Sequence, residues 1–122
     1  KVKRVVFCTG KLYYELSAER RKQGVNHVAL VRVEELYPYP VKEISSVIQR
    51  YPNAREFAWA QEEPRNQGAW TYIDPRLRSQ IPQASELSYI GRTPSPSPAT
   101  GYFKVHQKEQ QEIMDQVLAK GE

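Results

Sequence analysis

The sequence is poor in the residues that build most compact reactive sites. It has one cysteine, Cys8, and two histidines, His27 and His106. A lone cysteine excludes an internal disulfide framework and fits a reducing compartment. One cysteine and two histidines also leave no zinc pattern and no His-rich metal site. No apolar run approaches the ~18 residues of a membrane span, and no signal-peptide pattern opens the chain. There is no G-x-G-x-x-G after a strand and no G-x-S-x-G elbow. Thr9-Gly10-Lys11 resembles the end of a P-loop but lacks the upstream glycine and the spacing.

What is present suits one α/β domain. The 122 residues, 39% hydrophobic, fit a single domain that buries about two-thirds of its unfolded surface. The first residue already lies near a strand, so the chain is expected to be cut from something longer. The net charge of +4 is uneven: residues 1–22 carry seven basic and two acidic side chains, the remainder eleven and twelve. Arg20, Arg21 and Lys22 end a predicted helix, where cations complement the helix dipole. That explains most of the excess, and no basic-aromatic signature of nucleic-acid binding accompanies it.

Val5-Val6-Phe7-Cys8, Val28-Ala29-Leu30-Val31 with Val33, and Phe57-Ala58-Trp59-Ala60 read as buried strands. Lys11 to Gln23 reads as a helix with Leu12, Tyr13 and Leu16 inward and Gly24 as its stop. A second helix follows Pro38 and Pro40, with Val41, Ile44, Val47, Ile48 and Tyr51 as its core face. Ile73, Leu77 and Ile81 give a third, in which Pro75 predicts a kink or a restart capped by Asp74. Leu87-Ser88-Tyr89-Ile90 alternates as a fourth strand. Residues 91–101 form a long Gly/Pro/Ser-rich loop, functional or pinned by a partner. A final helix runs from about Val105 to Lys120 on Ile113, Met114, Val117 and Leu118. Alternation at this spacing predicts a largely parallel sheet with helical crossovers.

The reactive side chains have bland readings. Cys8 sits on a buried strand and reads as an inert small hydrophobe. His27 is expected at the surface. His106 shares the inner face of the last helix and is expected to hydrogen-bond the 91–101 loop. Adjacent Glu62 and Glu63 point to opposite sides of a strand, so they cannot share one substrate proton; Arg65 could neutralise one of them. Gln61 to Trp70 nevertheless lies at the carboxyl end of a parallel strand, where open α/β sheets place ligands and contacts. The Thr9-Gly10 junction could hold an anion, although such turns are ordinary in this fold class.

Gln61-Glu62-Glu63-Pro64 followed, after Arg65, by Asn66-Gln67-Gly68-Ala69-Trp70 resembles a signature of the 2-oxoglutarate dehydrogenase decarboxylating component. The resemblance covers essentially the whole chain. Val2-Lys3-Arg4-Val5-Val6 with Cys8-Thr9-Gly10-Lys11-Leu12-Tyr13-Tyr14 is similar to the opening of that family's last domain. Val31-Arg32 with Glu35-Leu36-Tyr37-Pro38 resembles its second strand and exit turn. Gly91-Arg92, Ser95, Ser97-Pro98-Ala99, Gly101 and Val105-His106-Gln107 resemble its loop into the final helix. Thr9 departs from a more usual serine, and Pro75 is no obligatory part of the pattern.

The resemblance implies a three-layer, transketolase C-terminal-like domain with a mostly parallel mixed sheet of four to five strands, one antiparallel. It implies a noncatalytic part of a larger enzyme that decarboxylates 2-oxoglutarate and passes succinyl to a lipoyl group in the citric acid cycle. Thiamine diphosphate and magnesium would lie in upstream domains at a homodimer interface, with no cofactor held by this chain. The dihydrolipoyl succinyltransferase and dihydrolipoyl dehydrogenase components would be partners, in a bacterial cytoplasm in preference to a mitochondrial matrix. Gln61, Glu62, Glu63, Asn66, Gln67, Gly68, Trp70, Arg92, Ser95, Ser97 and His106 would make interdomain or dimer contacts, and no residue would be catalytic. Two alternatives stand beside this reading. One is a regulatory module for AMP or acetyl-CoA, with Lys11, Arg92 or Lys104 on phosphate. The other is a free-standing flavodoxin-like binding protein.

Overall fold

In a computed structural model the chain alternates strand and helix throughout. The structure describes residues 1–92 and 103–120, with residues 103–106 described by backbone alone. The elements are β1 (Arg4–Cys8), α1 (Gly10–Gln23), β2 (Val28–Arg32), α2 (Val41–Arg50), β3 (Glu56–Pro64), α3 (Trp70–Gln80), β4 (Glu86–Arg92) and α4 (Phe103–Leu118). The strands form one sheet in the order β2-β1-β3-β4, every pairing parallel. The antiparallel strand expected from the resemblance does not occur among the described residues.

Strand alternation sorts the core into two halves. Val5, Phe7, Phe57 and Trp59 point to one face, under Ile44 of α2 and Trp70, Ile73 and Leu77 of α3. Val6, Cys8, Ala58 and Ala60 point to the other, under Leu12 and Leu16 of α1 and Ile113, Val117 and Leu118 of α4. The two-sided burial explains why β1 and most of β3 are unbroken apolar runs.

Several helix ends follow the sequence directly. Gly24 closes α1 in the left-handed conformation at φ 68°, with Arg20, Arg21 and Lys22 in the last turn. Arg4, at the start of β1, donates through Nη1 to the carbonyls of Val117 (2.8 Å) in the last turn of α4 and Ala119 (2.7 Å) just beyond it, and through Nε to Glu56 (2.9 Å). The basic residue that opens the first strand therefore caps the last helix.

Three expectations need correction. α3 passes through Pro75 as one helix, so of the kink or restart expected the restart does not occur, and Asp74 forms an ion pair with Arg78 at 2.7 Å instead of capping a new helix. Trp70, Ile73 and Leu77 are buried on both sides of the proline, and that packing outweighs one missing backbone bond. Val41 is 54% exposed because it lines a groove at the start of α2, while Ile44, Val47 and Ile48 do pack inward. His27 is half-buried, with Nε2 3.0 Å from the carbonyl of Ala119.

Candidate functional site

The topology marks one place for a site. From β1 the chain moves outward through α1 to β2, then returns through α2 to β3 on the other side of β1. The helices beside these strands lie on opposite faces, so the carboxyl ends of β1 and β3 form the switch point where such sheets open. Thr9-Gly10 leaves β1 there, and Gln61 to Trp70 leaves β3.

A single amide organises the exit from β3. Gln61 is buried, and its Oε1 accepts from Nε1 of the buried Trp59 at 2.9 Å. Its Nε2 donates to the carbonyls of Glu63 (3.2 Å), Pro64 (2.9 Å) and Gln67 (2.7 Å). Two amide hydrogens thus serve three carbonyls at the end of β3 and in the turn after it. The register shifts between Ala60 and Pro64, and that irregularity bends the strand away from its ladder.

Two glycines close around this amide. Gly68 has φ 68°, and a Cβ there would lie 3.0 Å from Oε1 of Glu63 and 3.1 Å from Oε1 of Gln61. A Cβ on Gly91 would meet the Tyr89 hydroxyl and stand 2.7 Å from the carbonyl of Gln61. The Tyr89 hydroxyl lies 2.9 Å from the carbonyl of Glu63 and 2.7 Å from that of Arg92, its one proton shared between them, tying β4 to the turn. Burial pushes the pKa of that hydroxyl above its ordinary value, opposed by the Gln61 amide and the Arg65 charge.

The carboxylates diverge. Glu62 accepts from Nε2 of Gln110 on α4 at 2.7 Å, and the same nitrogen reaches Glu15 of α1 at 2.7 Å. This bridge crosses the switch point, where a ligand would otherwise enter. Glu63 lies on the exposed side over Gly68, so the two carboxylates are not an acid-base pair. Arg65 neutralises neither of them. Its guanidinium stacks 5.4 Å from the Tyr89 ring centre and 5.9 Å from that of Trp70.

Of the expected contact residues, the structure gathers Gln61, Glu62, Glu63, Asn66, Gln67, Gly68 and Trp70 at this edge, with Arg92 close by through Tyr89. Gln61 and Trp70 are buried, whereas Glu63 and Arg65 to Gly68 are exposed. Ser95 and Ser97, and the side chains of Lys104 and His106, lie outside the described residues. Tyr89, Gly91 and Trp59 also build the site. The Trp59/Gln61 spacing of two, same-face on a strand, was the available signal for the last of these.

The first 118 residues match a family model described as 2-oxoglutarate dehydrogenase C-terminal. The chain belongs to that family. A 2-oxoglutarate dehydrogenase E1 component from Exiguobacterium sp. (strain ATCC BAA-1283 / AT1b) is 48% identical over 98% of the chain, and one from Geobacillus sp. (strain WCH70) 46% over all of it. A Dictyostelium discoideum protein named "Probable 2-oxoadipate dehydrogenase complex component E1 homolog" is 42% identical over 93%. The chain spans 13% of the length of each of these relatives. Members of the 2-oxoglutarate dehydrogenase C-terminal family therefore include parts of much longer enzymes.

Against this family background, neither alternative reading gains support. Lys11 stands 4.0 Å from Glu15 and Arg92 3.3 Å from Glu109, so both described cations already face carboxylates. The family match to the end of a long enzyme gives no support to a free-standing flavodoxin-like protein. Magnesium takes clustered oxygen ligands, and among the described residues no three His, Cys, Asp or Glu gather as a metal site. No thiamine diphosphate or magnesium step is assigned to these residues. Cys8 is fully buried, and desolvation pushes its thiol up to about 12. A groove of about 880 Å³ lies elsewhere, along Val31–Glu35 and the start of α2, with mixed charges on its walls.

Proposed function

We propose that residues 1–122 act as the noncatalytic C-terminal domain of a 2-oxoglutarate dehydrogenase E1 component. The edge from Gln61 to Trp70, with Arg92, docks against the upstream catalytic domains and supports the homodimer. One observation carries the reading. The exit of β3 is locked from inside by the Gln61 amide, while Glu63 and Arg65 to Gly68 face outward with no reactive group among them. That is a rigid surface suited to contact, and Gln110 bridges the crevice that a substrate would need.

On this reading the parent enzyme decarboxylates a 2-oxo dicarboxylic acid and transfers the acyl group to lipoyl. 2-Oxoglutarate is favoured over 2-oxoadipate because the relatives at 46% and 48% identity carry the 2-oxoglutarate name. Thiamine diphosphate and magnesium are held upstream and supply the decarboxylation chemistry. The succinyltransferase and dihydrolipoyl dehydrogenase components complete the complex, in the cytoplasm.

The test compares the isolated chain with the full-length parent, each given thiamine diphosphate, magnesium and 2-oxoglutarate. Carbon dioxide release is expected from the parent alone. Release by the isolated chain would overturn the proposal.

A further inference from the structure

Arg65 faces aromatic rings instead of the carboxylates nearest to it in sequence. Two carboxylates, Glu62 and Glu63, stand within three positions of it, yet it pairs with neither. Glu62 is taken by Gln110, and Glu63 lies over Gly68. The guanidinium instead rests against two rings, Tyr89 and Trp70, whose centres are 5.6 Å apart. Both rings are fixed: Trp70 is buried, and the Tyr89 hydroxyl is tied to two carbonyls. The backbone carrying Arg65 is held by the Gln61 amide on both sides, at Pro64 and Gln67.

Stacking orders a guanidinium while leaving its N–H fork free to donate. Arg65 makes no hydrogen bond or ion pair with the described residues. The two rings bias the guanidinium towards this edge, which lowers the ordering cost that a partner's binding would otherwise carry. Exposed Asn66 and Gln67 flank it.

We infer that Arg65 anchors this edge by taking an Asp or Glu carboxylate from the part of the E1 polypeptide outside residues 1–122. This rests on the docking role proposed above. A planar carboxylate matches the fork in two-point geometry. A phosphate dianion fits less well, because Glu62 and Glu63 stand within three positions. The source of the carboxylate is the long remainder of the polypeptide, since the chain spans 13% of its relatives.

The test uses the full-length enzyme with Arg65→Lys, treated with a carbodiimide that joins amine to carboxylate without a spacer. Peptide mass spectrometry is expected to find position 65 joined to an acidic peptide outside residues 1–122, several-fold more than in a Gln67→Lys control. Joining only to Glu62 or Glu63, or suppression of the product by millimolar inorganic phosphate, would overturn the inference. A long-spacer amine cross-linker applied to Asn66→Lys separates the two levels. If it reaches peptides outside the chain while position 65 does not couple, the docking edge stands and the carboxylate anchor falls. If neither links outward, both fall.

Discussion

The Nε2 of Gln61 donates to the carbonyl of Gln67 at 2.7 Å, closing the turn that carries every exposed residue of the β3 exit. The side chain that shapes the edge is itself buried, so shape and contact are divided between different residues.

Replacing Gln61 by Ala strands the Trp59 indole N–H and the Gln67 carbonyl, while the carbonyls of Glu63 and Pro64 keep the Tyr89 hydroxyl and the Gln67 N–H. An unsatisfied buried polar group costs about 1–3 kcal/mol, so a loss of about 2–4 kcal/mol is expected from urea unfolding midpoints. Gln61→Glu should lose a similar amount, because it puts a carboxylate oxygen against carbonyl oxygens.

Gly91→Ala should destabilise by about 1–3 kcal/mol, since its Cβ would meet the Tyr89 hydroxyl and the Gln61 carbonyl. Adding Tyr89→Phe removes the hydroxyl collision and leaves those with the ring carbon Cζ and the Gln61 carbonyl, each at 2.7 Å. The double variant should therefore lose less than the sum of the single losses in a double-mutant cycle.

Much of this architecture was legible in the sequence, and the failures share a cause. Continuous apolar runs at Val5–Cys8 and Phe57–Ala60 marked strands buried on both faces, and Gly24 marked the end of α1. Pro75 misled because local propensity opposes a helix there, whereas Trp70, Ile73 and Leu77 bury around it. Val41 misled because helical periodicity does not reveal where a neighbouring layer stops. At the edge, the residues Gln61 to Trp70 were visible as a group. Their bonding was not, because the sequence does not say which carbonyls a buried Gln61 amide turns towards, and because Tyr89 and Gly91 come from another strand.

Arg4→Met should cost about 2–4 kcal/mol, because it removes the guanidinium from the Val117 carbonyl and the Glu56 carboxylate and leaves only His27 beside the Ala119 carbonyl. Glu56→Gln should cost less than about 1 kcal/mol, as that carboxylate is 41% exposed. Hydrogen exchange should show the last turn of α4 opening in the arginine variant alone.

Cys8 gives a pH-dependent expectation. Its folded ionisation is raised from the ordinary thiol value of 9.0 to about 12 by burial, so the unfolded chain ionises first. Its contribution is fully present below about pH 9 and is lost as pH rises towards about 12. A thiol reagent at pH 8 should modify Cys8 only in denaturant, and Cys8→Ala should flatten the alkaline fall in stability.

The docking role of the edge is tested most directly by hydrogen–deuterium exchange on residues 61–70. The isolated chain, shown folded by circular dichroism, is compared with the same residues inside the full-length E1 polypeptide. Slower exchange of the exposed amides from Arg65 to Gly68 in the full-length protein is expected, with little change in the central strand β1. Equal exchange at Arg65 to Gly68 in both forms would contradict the account.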